Sequence, residues 1–193
     1  IATLVGMLEC MGNDTCSELM NALAARDFFL AEVFFLVQAS LDDLIEEDGD
    51  SFLHRAAQDG DLEMAGFYLK HGSLKTLETF DYIEQTPLIR ASANGHVVMV
   101  SRLLAAGAKP NAHDEDRIGN TAIREAVRGG YAKIVELLLR AGADPTIPGW
   151  MGISAVDQAY NQIDGGLDSD EAREIQQMLA KYASSVRNRG VDL

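Results

Sequence analysis

A short sequence string recurs four times between residues 51 and 157, and its regular spacing constrains the fold more than any other feature. Each copy begins with serine or threonine and carries an aliphatic residue in its third position. These aliphatic residues are spaced 35, 35 and 33 positions apart: Leu53, Leu88, Ile123 and Val156. A fixed period of this length indicates stacked structural repeats rather than one irregular core.

The residues that follow each string predict a helix, a turn and a second helix. The opening hydroxyl can cap the first helix by accepting a hydrogen bond from an open backbone N–H. A glycine then permits the left-handed backbone that ends this helix, at Gly60, Gly95 and Gly130. Apolar residues at helical spacing come next, and a second glycine closes each unit, at Gly72, Gly107 and Gly142.

These units resemble the ankyrin repeat, whose pattern has a period of about 33 residues and a T-P-L-H-x-A string. Thr86-Pro87-Leu88 and the segment from Lys133 to Asp144 carry the resemblance most clearly, whereas Phe52 stands where the family has proline. The resemblance covers residues 46–183. It implies an all-α ankyrin-repeat solenoid of about four helix–turn–helix repeats with hairpin-like turns.

The two ends of the chain depart from this pattern. Residues 1–45 fit either an N-terminal helical cap or a degenerate repeat, in which Asp27 rather than a glycine occupies the turn. In the fourth unit, polar residues from Asn161 to Ser169 predict a longer loop, after which the second helix restarts at about Asp170. Residues 184–193 are predicted to be a polar tail that frays.

The charge balance restricts the class of partner. The 193 residues include 30 Asp and Glu against 16 Lys and Arg, which gives a formal net charge of −14. Such a chain repels the phosphates of nucleic acid and of anionic membranes, so we expect neither as a partner. Solubility is the simpler explanation of the acidity, although an acidic stretch between residues 42 and 50 could attract a basic protein partner.

Two cysteines, Cys10 and Cys16, bear on the compartment. Reduced thiols in a cytoplasmic protein are the favoured interpretation, since nothing else in the sequence suggests secretion. A Cys10–Cys16 disulfide in a periplasmic or secreted protein is the alternative. The sequence has no apolar segment long enough to span a bilayer. Because it opens on Ile1 rather than Met, we expect a preceding segment in the gene or one that has been removed.

No catalytic motif is recognisable, so we predict a protein that is not an enzyme and has no catalytic residues, no cofactor and no metal. Of the four histidines, His54 and His96 occupy positions where the ankyrin pattern itself places histidine. There they would hydrogen-bond neighbouring turns. The acidic residues around Gly165 lack the spacing of a calcium-binding loop.

The resemblance implies that partners contact the turn tips preceding each first helix, together with the ends of those helices. The residues so placed are predicted to bind a protein partner: Glu47, Asp48, Asp50, Tyr82, Ile83, Gln85, Asn94, Arg117, Ile118, Asn120, Arg128, Trp150, Met151 and Ile153. We expect Tyr82 and Trp150 to be the anchors, because both residue types are enriched among binding hot spots. Trp150 could equally be buried within its own chain, and packing between adjacent turns is the simpler interpretation of Ile83 and Ile118.

The sequence therefore predicts a protein–protein interaction module that binds its partner through a concave groove and the turn tips. Arg117 and Arg128 would add polar contacts, and the acidic first tip would steer a basic region of the partner. A dedicated inhibitor or immunity protein that blocks a toxin or enzyme is one alternative, and the acidity suits it. A regulatory domain of a larger protein is another. We expect the chain to be a monomer on its own.

Overall fold

The computed structural model describes residues 19, 21–22, 24–36, 51–71, 74–113, 120–164 and 169–187. The α-helices of these segments are α1 (Phe28–Leu36), α2 (Phe52–Asp59), α3 (Leu62–His71), α4 (Pro87–Ala93), α5 (Val97–Ala105), α6 (Ala122–Arg128), α7 (Ala132–Arg140), α8 (Ala155–Asp164) and α9 (Asp170–Arg187). Short 3-10 turns lie at Leu74–Leu77 and Trp150–Gly152.

The helices form four consecutive pairs, α2–α3, α4–α5, α6–α7 and α8–α9, in agreement with the predicted repeats. The first helix of each pair packs against the first helix of the next, so that α2, α4, α6 and α8 form one layer. The second helices α5, α7 and α9 form the other layer in the same way. The all-α repeat solenoid predicted from the sequence is confirmed.

Each first helix is capped by the hydroxyl residue that the sequence places before it. The side-chain oxygens of Ser51, Thr86, Thr121 and Ser154 accept backbone N–H bonds from the residue three positions later, at 3.4, 3.3, 3.3 and 3.2 Å. These bonds satisfy N–H groups that an α-helix leaves open at its start. The caps therefore fix where each repeat begins.

The turn inside each repeat is closed by one recurring backbone bond. The N–H groups of Asp61, His96 and Tyr131 donate to alanine carbonyls five residues earlier, at 2.9, 3.0 and 2.9 Å. Gly60 and Gly95 have φ of 71° and 76°. A Cβ at either glycine would lie less than 3.0 Å from the ring of His96 or Tyr131 in the next unit. Glycine is therefore required for the backbone angle and for the close contact between units.

The same turn occurs near the N-terminus. Asp27 N–H donates to the carbonyl of Ala22 at 2.9 Å, and Arg26 takes the left-handed position with φ of 59°. The carboxylate of Asp27 also accepts the N–H of Leu30 at 3.0 Å, and so caps α1. We infer that the described residues from 19 to 36 are the remains of a degenerate repeat rather than an unrelated cap.

The two histidines of the repeat pattern join neighbouring units, as predicted. His54 Nε2 lies 3.1 Å from the carbonyl oxygens of both Thr79 and Gln85, in the turn before α4. His96 Nε2 lies 2.8 Å from the carbonyl oxygen of Gln58 near the end of α2. Each imidazole thus satisfies backbone groups of an adjacent repeat.

Loops on the other side of the helices are joined by side-chain amides and carboxylates. Asn111 accepts the N–H of Asp144 at 2.7 Å and donates its Nδ2 to the carbonyl of Gly142 at 3.1 Å. Glu78 accepts the N–H of Lys109 in the following unit at 2.8 Å. The first and second repeats are therefore hydrogen-bonded to each other at both ends of their helices.

Two expectations about the fourth unit need correction. The predicted loop from Asn161 to Ser169 is too long, because α8 continues as a helix to Asp164. Gln162 explains part of this extension, since its Nε2 donates to the carbonyl of Arg128 in the preceding unit at 2.9 Å. The restart at Asp170 is as predicted, but α9 runs on through Arg187, into the segment expected to be a frayed tail. Cys10, Cys16 and Gly72 lie outside the described residues.

Leu103 tests the layered core, because its side chain is fully buried between the two helix layers. We expect Leu103→Ala to lower the free energy of unfolding by about 2–5 kcal/mol, the usual cost of a cavity at a buried leucine. Val98→Ala on the same helix is the control, since Val98 is 56% exposed. Urea denaturation followed by circular dichroism should separate the two variants clearly.

The contact of α1 with α3 should depend on pH. The Glu32 carboxylate accepts hydrogen bonds from Lys70 Nζ at 2.5 Å and His71 Nε2 at 2.9 Å, and these lower its pKa below the ordinary value of 4.5. A lowered pKa stabilises the folded state above pH 4.5, and this contribution disappears as the pH falls through the folded-state pKa. The stability difference between the parent and Glu32→Gln should therefore shrink below pH 4.5. A stability difference between the two proteins that stays constant down to pH 3 would contradict this prediction.

Candidate functional site

The turn before α4 presents two apolar side chains to solvent. We call residues 80–85 finger two. It is closed by Asp81 N–H donating to the carbonyl of Gln85 at 3.1 Å and Glu84 N–H donating to the carbonyl of Asp81 at 3.0 Å. Tyr82 and Ile83 form its tip and are 65% and 50% exposed. Half of the Ile83 side chain is therefore accessible to a partner.

A buried carboxylate holds finger two in this shape. Asp81 Oδ1 accepts the N–H groups of Ile83 and Gln85, both at 2.9 Å, and Oδ2 accepts Arg90 Nε at 2.6 Å. The Asp81 and Arg90 side chains are 0% and 5% exposed. Arg90 in turn donates to Gln58 of the preceding unit at 3.0 Å. The tip is thus fixed by charged bonds that water cannot compete for.

The turn before α8, two units later, is closed by the same two backbone hydrogen bonds but differs at its tip. We call residues 149–153 finger four. Gly149 N–H donates to the carbonyl of Ile153 at 3.0 Å, and Gly152 N–H donates to the carbonyl of Gly149 at 2.9 Å. Position 149 therefore corresponds to position 81. Met151 lies at the tip, is 71% exposed and has φ of 62°, an unfavourable angle for a residue other than glycine.

Finger four is supported by a different side chain. Gly149 has no side chain, so no carboxylate supports this turn as Asp81 supports finger two. Gly149 packs instead against Arg124 of the preceding unit. A Cβ at position 149 would lie 2.9 Å from Arg124 Cδ, so the contact requires glycine. Arg124 donates its Nη1 to the Asn120 side chain, and its buried Nε meets no acceptor within the described segments. The Arg124 side chain thus supports finger four by packing against Gly149.

The ends of the first helices carry polar groups. Asn94 follows α4, is exposed, and donates its Nδ2 to the carbonyl of Arg90 at 2.9 Å. Arg128 ends α6, and both its Nε and Nη2 donate to Glu125 Oε2. The Glu125 side chain is buried whereas that of Arg128 is mostly exposed. This pair leaves part of the guanidinium facing solvent.

Comparison with known proteins identifies the fold. A family model described as ankyrin repeats (3 copies) matches residues 10–114 and 53–148. The chain belongs to the ankyrin repeat family. The crystal structure of an ankyrin repeat domain from Acinetobacter baumannii AYE is similar, with 31% sequence identity and a TM-score of 0.69. The match covers 84% of this chain and 79% of that one. No curated protein sequence matches the chain.

Ankyrin repeats generally mediate protein–protein interaction. In the described segments of this ankyrin chain, no helix is both long and apolar enough to cross a bilayer. The same segments contain no group of three or more His, Cys, Asp and Glu side chains arranged to hold a metal ion.

The predicted partner-binding residues fall into three groups in the ankyrin structure. Exposed groups at finger tips or helix ends are Tyr82, Ile83, Asn94, Arg128 and Met151. Half-buried groups that take part in the turns themselves are Gln85, Asn120 and Ile153. Residues or side chains outside the described part of the chain are Glu47, Asp48, Asp50, Arg117, Ile118 and the side chain of Trp150.

Sequence reasoning missed the groups that support the fingers and two further exposed rings. Asp81 and Arg90 were not among the predicted site residues, although a charged residue within a buried helix face requires an opposite partner. Phe80, at the start of finger two, is 36% exposed, and Tyr160 on α8 is 54% exposed. The sequence did carry a signal for these two exposed rings, because Phe80 is an aromatic residue in a turn and Tyr160 is one among polar helix residues.

Asp81→Ala tests the support of finger two. The change leaves the Arg90 guanidinium buried without its carboxylate, so we expect the free energy of unfolding to fall by about 3–5 kcal/mol. Backbone amides of Ile83 and Gln85 should also exchange hydrogen faster. The control is Lys133→Ala, which removes an exposed ion pair with Glu136 and should cost less than about 1 kcal/mol. Equal effects of the two variants would contradict the assigned role.

Proposed function

We propose that this ankyrin chain is a protein–protein interaction module whose finger tips and first-helix ends bind a protein partner. The observation that carries the proposal is the tip of finger two, where Tyr82 and Ile83 are exposed on a turn held by buried charged bonds. An exposed aromatic and an exposed branched side chain side by side on a turn tip provide apolar surface that a partner can cover. Their rigid support lowers the entropy lost on binding.

The second element of the proposed site is finger four. Met151 is displayed on a backbone of the same closure as finger two, at a tip two repeats away. Its left-handed backbone angle costs free energy, which is typical of residues held for function. Methionine also adapts its shape to irregular partner surfaces. We keep Trp150 as a predicted anchor beside it.

Polar groups between the two fingers would complete the surface. Asn94 and Arg128 lie at the ends of α4 and α6, in the two intervening first helices of the stack. An exposed amide and a partly free guanidinium can accept and donate hydrogen bonds around the apolar tips. Such a polar surround is typical of interfaces whose affinity is concentrated in a few apolar anchors.

The charge of the chain favours a partner with a basic region. A net charge of −14 accelerates encounter with a positively charged surface. This acidity also supports the inhibitor or immunity protein as the second candidate, since blocking a basic enzyme would use the same steering. The two functions differ in affinity: an inhibitor should bind with Kd of about a nanomolar or below, and an adaptor more weakly.

The test is an affinity capture from the native source with the whole chain as bait. Tyr82→Ala/Ile83→Ala should reduce the recovered partner sharply, and titration with that partner should show a Kd increase of roughly 30-fold, or about 2 kcal/mol. Both side chains are largely exposed, so the thermal unfolding midpoint should not change.

The matched control is Phe29→Ala. Phe29 is an aromatic residue of α1 that is 80% exposed and lies far along the sequence from both fingers. Its loss removes a comparable apolar surface without touching the proposed site. Partner recovery that is equal for the parent, the finger variant and the control would reject the fingers as the binding surface.

A further inference from the structure

The second-helix layer carries a groove that shares no residue with the fingers. We call the space between α7 and α9 the outer groove. It forms a cavity of about 500 Å³ whose lining includes Leu139 of α7 and Met178 and Tyr182 of α9. All three side chains are half-buried. The groove therefore has an apolar floor that the folded chain covers only in part.

The outer groove continues along the full length of the two helices. A second hollow of about 440 Å³ shares Glu136 and Glu174 with the first, and extends to Ala132 and Glu171. The starts of both helices line the second hollow and their later turns line the first, so α7 and α9 run in the same direction. At about 1.5 Å per residue, the 14 steps from Glu171 to Ser185 give a length of roughly 21 Å.

The spacing of the α9 residues in this groove is that of a helix-packing face. Glu171, Glu174, Met178, Lys181 and Ser185 line it at intervals of three, four, three and four residues. This spacing places the five side chains on one face of α9, as in the contact faces of helical bundles. Two parallel helices with Leu139, Met178 and Tyr182 half-buried between them offer a groove into which a third helix can pack.

The charges along the groove are unevenly distributed. Glu136 pairs with two cations of α7, because its carboxylate lies 2.6 Å from Lys133 Nζ and 2.5 Å from Arg140 Nη2. The hydrogen bond from Lys133 and the charge of Arg140 lower the pKa of Glu136, so it remains ionised. Glu171, Glu174 and Lys181 form no ion pair with other residues in the described segments. Acidic side chains therefore predominate at the first end of the groove, where Glu171 and Glu174 lie, whereas Arg140 and Lys181 balance the acidic side chains toward the other end.

We propose that the outer groove binds an amphipathic helix of a partner protein, with its apolar face on Leu139, Met178 and Tyr182. The bound helix places basic side chains over Glu171 and Glu174 and an acidic side chain over Lys181. Its own dipole favours the same direction as α7 and α9, because the positive N-terminal end then faces the two glutamates. This surface is separate from the fingers and goes beyond the function proposed for them.

A pair of synthetic peptides tests the charge order. Both are fluorescein-labelled 18-residue helices with leucines on one face. The first carries lysines in its N-terminal half and glutamates in its C-terminal half, and the second carries the same residues exchanged. Fluorescence anisotropy with the full chain should show at least about tenfold tighter binding of the first peptide at low salt. The difference should shrink in 1 M NaCl, where charges are screened beyond about 3 Å.

Matched charge reversals then locate the binding site. Glu174→Lys should remove the preference for the first peptide, whereas Asp59→Lys, at the exposed end of α2, should leave it unchanged. Tyr82→Ala/Ile83→Ala should also leave it unchanged, which separates this proposal from the function of the fingers. Equal binding of the two peptides, or a preference that survives Glu174→Lys, would overturn the proposal. So would a concentration-dependent dimer that Glu174→Lys dissociates, since the groove would then hold a second copy.

Discussion

Close contact between successive first helices is the constraint on which the rest of the structure depends. Ala57, Ala91 and Ala126 are fully buried in α2, α4 and α6, where a larger side chain would force the helices apart. The same contact brings the turn glycine of one unit against the ring of the next, as Gly60 meets His96. Because successive first helices pack against one another throughout the stack, the fingers that precede α4 and α8 occupy equivalent positions two repeats apart.

The two described fingers share the same closing hydrogen bonds, although Met151 but not Ile83 has a positive φ, and they are supported by different chemistry. In finger two, the Asp81 carboxylate organises the turn and Arg90 neutralises it, so the shape depends on a buried ion pair. In finger four, the absence of a side chain at Gly149 admits Arg124, so the shape depends on close packing. Removing one partner of a buried ion pair leaves an uncompensated charge, whereas adding a side chain at a closely packed glycine forces neighbouring atoms to move. The repeat therefore conserves a geometry through unrelated interactions.

The sequence was sufficient to predict the repeat, the hydroxyl caps and the turns, because each depends on a local rule that recurs with the period. Ser51 and Thr86 cap their helices, and Gly60 and Gly95 take the left-handed angle, as expected from residue type alone. The failures involve contacts between units. The extension of α8 involves a bond from Gln162 to the preceding repeat, which no local pattern indicates.

The candidate site was harder to predict than the fold for the same reason. Placement of Tyr82 at a turn tip followed from the repeat register, but the exposure of Ile83 depends on the Asp81 carboxylate and on Arg90, nine residues away. Asp81 lies in finger two and Arg90 on the buried face of α4, so their pairing depends on both elements being folded. A single sequence shows the two residues but not that they meet.

The docking of the N-terminal helix has a consequence for how the protein responds to its surroundings. Arg26 binds Asp61 and Glu63, and Glu32 binds Lys70, all through side chains that remain partly exposed. Dissolved ions weaken such bonds, while the buried contacts between later helices are insensitive to them. The two ends of the stack therefore differ in their sensitivity to ionic strength. A rise in salt concentration would weaken the ion pairs of the first helix while leaving the fingers in place.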